Sequence, residues 1–121
     1  MGMNLSRLED GAEFECSNGM WDVIMASAHK SGWKPLGTFK MDANDNPDPN
    51  WDKNDYSSNQ GQIVNEDDAF EMSKALKKFV EIEKENIDPI EYSTISQFIE
   101  WLKIEDYEDD GIDYFPGFEI N

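Results

Sequence analysis

The chain has 121 residues, with 10 Lys and Arg against 27 Asp and Glu, for a net charge of −17. So negative a surface repels phosphate backbones and anionic membranes, which argues against nucleic-acid and membrane partners and favours a basic protein or a cationic ligand. The length suits one domain over 1–121. Leu, Ile, Val and Phe make up only about a fifth of the chain, close to the disorder boundary. Aromatic content of 12% and periodic apolar stripes place it on the folded side.

Cys16 is the single cysteine, which excludes an internal disulfide. No apolar run reaches the roughly 18 residues of a membrane span, and Met1 to Asp10 lacks a basic region followed by an apolar core. The expectation is a soluble, cytoplasmic protein.

Within residues 1–17, Phe14 and Cys16 alternate with Glu13, Glu15 and Ser17, which predicts a short strand with one wet face. A first helix is expected over about 18–31. Ser17 or Asn18 caps it, and Trp21, Ile24, Met25 and Ala28 share one face. Gly32 stops it, and Trp33 to Phe39 reads as extended, with Pro35 biasing Lys34 away from helix.

Residues 41–62 form a long loop rich in Asn, Asp, Pro, Gly and Ser, turn formers each by its own mechanism. A loop this long in a compact domain is usually functional or disordered, and Trp51 and Tyr56 argue that part of it packs. Asn65 caps a second helix, with Asp68 three residues on as an acidic variant of the capping box. Glu66, Asp67 and Asp68 crowd its first turn, where the helix dipole favours acids. Ala69, Met72, Leu76, Phe79 and Val80 line one face, Ala75 and Ile82 widen it, and the helix ends near Asn86, before Asp88-Pro89.

A third helix is expected to begin at Thr94, with Gln97 completing a capping box, and to bury Ile95, Phe98, Ile99 and Leu102. The tail from Ile104 to Asn121 holds seven acids and no base. There Phe118 and Ile120 alternate with Glu119, which predicts a closing strand able to pair with the strand around Phe14.

Several chemical constellations fail on spacing. Asp42, Asn44 and Asn46 occupy the first three ligand positions of an EF-hand, but the template then needs Gly and Glu where Pro47 and Lys53 stand. Asx turns explain the same residues. One His and one Cys do not close a zinc site. Cys16 and His29 flank the first helix at opposite ends, about 20 Å apart at 1.5 Å per residue, too far for a nucleophile and its base. Paired carboxylates carry no signal among 27 acids, and Gly61 stands alone rather than in a phosphate loop. No metal and no cofactor is expected.

Two stretches together carry a resemblance. Gly32-Trp33-x-Pro35-x-Gly37-Thr38 follows the first helix, and Trp51-x4-Tyr56-x2-Asn59-x-Gly61-Gln62-x-Val64-x3-Asp68-Ala69 leads into the second. Over roughly residues 18–85 the chain resembles a group of small bacterial proteins that share this pattern and have no assigned activity. The resemblance implies no catalytic residue. It implies that Trp51, Tyr56, Asn59, Gly61 and Gln62 act as one unit. Either the aromatics pin the loop to the core while Asn59 and Gln62 satisfy backbone groups, or the same residues line a small-ligand site. The anchoring account is preferred, since a loop this long needs anchoring.

The expected fold is α+β: three helices with a small antiparallel sheet of terminal and loop-derived strands. The expected function is that of a non-enzymatic acidic domain of the immunity or antitoxin kind, covering a basic protein partner. Its expected contacts are Asp106, Tyr107, Glu108, Asp109, Asp110, Asp113 and Tyr114, where acids alternate with aromatic anchors. The alternatives are a small-ligand or cation site in the 42–62 loop, using Trp51, Tyr56, Asn59 and Gln62, and a structural domain with no site.

Overall fold

The structure, a computed structural model, describes residues 2–58, 60–106 and 112–120; of residues 105, 106 and 112–114 it describes the backbone alone. The chain runs β1 (Gly2–Arg7), β2 (Glu13–Ser17), α1 (Asn18–Lys30), β3 (Gln62–Val64), α2 (Glu66–Glu83), α3 (Pro89–Leu102), β4 (Ile104–Asp106), β5 (Ile112–Tyr114) and β6 (Phe118–Ile120). This is the α+β arrangement expected from the sequence. Four strands form an antiparallel sheet in the order β2-β1-β6-β3, and β4 pairs with β5 in a separate hairpin.

The sheet corrects one expectation. The closing strand β6 pairs not with the strand around Phe14 but with β1 on one side and β3 on the other. Leu5 of β1 stands between Phe14 of β2 and Ile120 of β6. β1 escapes a sequence reading because its alternation consists of two apolar residues, Met3 and Leu5, among Gly2, Asn4 and Ser6. Gly117 lets β6 close on its neighbour: its φ is +83°, and a Cβ there would stand 2.6 Å from the Val64 carbonyl oxygen. Only glycine meets both conditions.

The first two helices form where their caps and stripes put them. The Ser17 hydroxyl accepts from the Met20 amide, and the Asn65 side chain accepts from the Asp68 amide at 2.8 Å. The buried residues of α1 include Trp21, Ile24, Met25 and Ala28; those of α2 include Ala69, Met72, Ala75 and Leu76. Phe79 and Val80 pack at the margin of the core, whereas Ile82, expected to widen the buried face, is 63% exposed.

α3 starts five residues before its expected start. Asp88 is its N-cap, accepting from the Ile90 and Glu91 amides, and Pro89 takes the first helical position. A proline there loses nothing, because that amide has no partner in a helix anyway. Asp88-Pro89 therefore opens α3 as well as closing off α2. Thr94 and Gln97, expected to form a capping box, lie inside the helix. There the Thr94 hydroxyl donates to the Ile90 carbonyl and the Gln97 amide donates to Ser93.

The C-terminus of α3 carries no basic residue in its last turn. Arg7 reaches it from β1 and donates to the Trp101 and Lys103 carbonyls at 2.7 and 3.1 Å. A cation is favoured at that end of a helix. The same guanidinium grips Asp10 at 2.9 and 2.5 Å and holds its carboxyl down at about 2.

The apolar faces of the three helices join the inward side chains of the sheet in a single cluster. Phe98 is its hub. Fully buried, it contacts the rings of Phe14, Trp21, Trp101 and Phe118 at centroid distances of 5.2 to 6.0 Å.

Candidate functional site

Asp68 is the only fully buried acidic side chain among the described residues. It sits in the first turn of α2, where the helix dipole favours a carboxyl group. Its amide takes the Asn65 cap, but its carboxyl does not turn back to complete the capping box. One oxygen accepts from the Trp33 indole at 2.9 Å and from the Leu36 amide at 3.3 Å. The other accepts from the Tyr56 hydroxyl at 2.5 Å. Tyr56 in turn accepts from the Gly37 amide at 2.9 Å, and its ring meets Trp33 edge to face at 5.2 Å. A buried carboxyl needs such a set of donors, because burying a polar group without partners costs several kcal/mol.

The loop is tied down at further points. The Trp21 indole donates to the Tyr56 carbonyl at 2.7 Å. Thr38 is buried; its hydroxyl donates to the Asp55 carbonyl at 2.9 Å and accepts from the Trp51 indole at 3.0 Å. Gln62, also buried, donates to the Ser58 carbonyl and accepts from the Gln60 amide. The polar groups of Trp51, Tyr56 and Gln62 thus all point into the chain's own backbone and side chains. Asn59 lies outside the described residues. The centre of the network, Trp33 with Asp68, goes unseen in a reading residue by residue. Trp33 reads as part of an extended passage and Asp68 as a dipole acid, although both belong to the pattern quoted above.

Burial, and then the hydrogen bond to Asp68, push the Tyr56 phenol well above its ordinary value of 10. The folded state therefore holds this proton more tightly than the unfolded chain does. Its stabilisation is complete below pH 10 and is lost as the pH rises beyond that. Absorbance titration should show one tyrosine that ionises only on alkaline unfolding. Tyr56→Phe should flatten the fall in stability above pH 10; an unchanged alkaline limb would contradict this.

The first half of the loop shows Asx turns where the EF-hand spacing begins: one Asp42 carboxyl oxygen accepts from the Asn44 and Asn46 amides. Among the described residues, no three metal-capable side chains gather. Cys16 is half-buried in β2, and burial raises its thiol pKa, away from the reactive thiolate. His29, in the last turn of α1, packs on the Trp33 ring at 4.8 Å.

Of the acid–aromatic stretch, Tyr107, Glu108, Asp109 and Asp110 lie outside the described residues. Asp106, Asp113 and Tyr114 belong by their backbone to the β4–β5 hairpin, with Asp106 opposite Ile112 and Tyr114 opposite Ile104.

The described acids that do gather are elsewhere. Strand alternation turns Met3, Leu5, Phe118 and Ile120 toward the helices and the neighbouring positions the other way. That outer face carries Glu13 and Glu15 from β2, Glu119 from β6, and Asn4 and Ser6 from β1. No Lys or Arg occupies an outward position in these four strands. The sequence signal for it is the wet side of the Glu13–Ser17 alternation. Pairing with the other end of the chain is what adds Glu119. Asn4 contributes a buried amide oxygen without a hydrogen-bond partner.

In comparisons with known proteins, the chain matches no family model, no curated protein and no solved structure. No helix among the described residues is long and apolar enough to cross a membrane.

Proposed function

We propose that the chain is a non-enzymatic acidic protein-binding domain that engages a basic protein partner, in the manner of a small immunity or antitoxin protein. The observation that carries this reading is the outer face of the sheet, where Glu13, Glu15 and Glu119 stand together with no cation among them. The net charge of −17 extends the same field over the molecule. Complementary charge raises association rates and rejects wrong partners more than it adds affinity. The stretch from Asp106 to Tyr114 offers further acids interleaved with aromatic side chains, which serve well as anchors.

The test is affinity capture with the folded chain, followed by stopped-flow association with the captured protein at low and high salt. A basic partner is expected, with association slowed about tenfold when Glu13→Lys and Glu15→Lys are combined, and slowed again by salt. A captured protein of acidic character, or a basic one whose association ignores both the double reversal and the salt, would overturn the reading.

A further inference from the structure

Ten basic residues are scattered through this acidic chain, yet four of them converge. Three adjoining depressions run between the end of α1 with the segment after it, residues 30–36, and the length of α2 from Asp67 to Glu83. Gly32 lines all three, so they form one continuous trough. Its own position leaves the floor open, since a Cβ there would meet nothing within 4 Å. Lys30 and Lys34 stand on one wall, and Lys74 and Lys78 on the other. Lys30 pairs with Glu83 at 3.7 Å and lies over the Phe79 ring. Lys34, Lys74 and Lys78 have no ion-pair partner among the described residues. Asp67, Glu71 and Glu83 also line the trough, three carboxylates against four lysines, which leaves it slightly positive in an otherwise acidic chain.

Three of the six large apolar side chains that the described residues leave exposed line the same trough: Leu36 at 57%, Phe70 at 47% and Ile82 at 63%. Leu36 and Phe70 lie at one end and Ile82 at the other. Phe70 stays half open even though its ring meets Phe115 at 5.3 Å. Apolar side chains at both ends with free cations between them define a chemistry of recognition.

We infer that this trough binds an acidic peptide segment that carries apolar side chains, a site separate from the sheet face and independent of the function proposed for it. From Asp67 to Glu83 the trough is about 24 Å long at 1.5 Å per residue, which an extended peptide of about seven residues spans. A small inorganic anion fills one depression and leaves the apolar ends bare. A nucleic-acid backbone has no use for Leu36, Phe70 and Ile82 and meets a net charge of −17 as it approaches. A short acidic peptide carries only a few charges and so meets less of that repulsion than a polyanion does, while the lysines act on it at contact.

The test is an NMR titration of the full isotope-labelled chain with a synthetic peptide of about ten residues that carries Phe and Leu near both ends and Asp and Glu between them, the order of the apolar and basic side chains along the trough. Its controls are the same peptide with Ser for Phe and Leu, a single-stranded oligothymidylate, and inorganic phosphate. Shifts are expected along residues 30–36 and 67–83 with the apolar acidic peptide alone. Lys74→Glu combined with Lys78→Glu should weaken binding about tenfold or more, and Phe70→Ser with Ile82→Ser should weaken it as well. Shift mapping on the unaltered chain makes the result independent of how the variants fold. Shifts elsewhere, equal binding of the Ser peptide, or preference for the oligonucleotide or phosphate would each overturn the inference.

Discussion

Replacing Asp68 with alanine should destabilise the protein by about 3–5 kcal/mol, because the Trp33 indole, the Leu36 amide and the Tyr56 hydroxyl would all lose their acceptor inside the protein. That is a large part of the roughly 5–15 kcal/mol that holds a domain of this size together. Asp68→Asn should fall in between. It keeps the shape and one acceptor oxygen but sets an NH2 group against one of the donors. The loss should appear as a lower urea midpoint. Hydrogen exchange should quicken first in residues 37–58, the segment that Tyr56 ties to α2. A loss of unfolding free energy below about 1 kcal/mol would show that the network contributes little beyond filling space. Because α2 also forms a wall of the lysine trough, loss of peptide binding in the Asp68→Ala chain would follow from this loosening and does not bear on the trough itself.

The second large effect is expected at Phe98. Phe98→Ala removes a fully buried ring that meets four others, and side-chain deletions of this kind cost about 3–5 kcal/mol. For a chain of this length that corresponds to a fall of about 10–20 °C in Tm. Phe98→Leu should recover about half of the loss, since most of the volume returns and the edge-to-face geometry does not. Near-UV circular dichroism reports on this cluster directly, since Trp21, Trp101 and Phe118 all touch Phe98. If Phe98→Ala melts within a few degrees of the parent, the cluster has repacked and Phe98 is not its hub.

The helices illustrate which features a local reading can reach. Trp21, Ile24, Met25 and Ala28 recur at helical spacing behind a serine cap, and every part of that signal lies within about three turns. The same holds for Asn65 and the stripe that follows it. The start of α3 differs from its expected place for a local reason as well. Asp88-Pro89 carries two meanings, stop and start, and Thr94 with Gln97 mimics a cap inside the helix. Ile82 continues the apolar stripe of α2 beyond the reach of the core it would need to cover.

The candidate sites show the opposite limit. Asp68 accepts from Trp33 across 35 positions and from Leu36 across 32, separations at which no periodicity operates. The charge excess is easily located along the chain at the C-terminal end. The described acidic face, by contrast, exists only because β6 returns to lie beside β1 and brings Glu119 onto the side that Glu13 and Glu15 already occupy. The lysine trough arises in the same way, from α1 and its following segment meeting α2.

Taken alone, the sequence determined the charge, the stripes and caps of the first two helices, the buried face of the third and the class of fold, because those depend on neighbours a few residues apart. Only the tertiary structure decided the order of the strands, the partner of Asp68, and which charges stand together. Hydrogen bonds and Coulomb forces act over a few ångströms of space, and folding brings distant parts of the chain within that range.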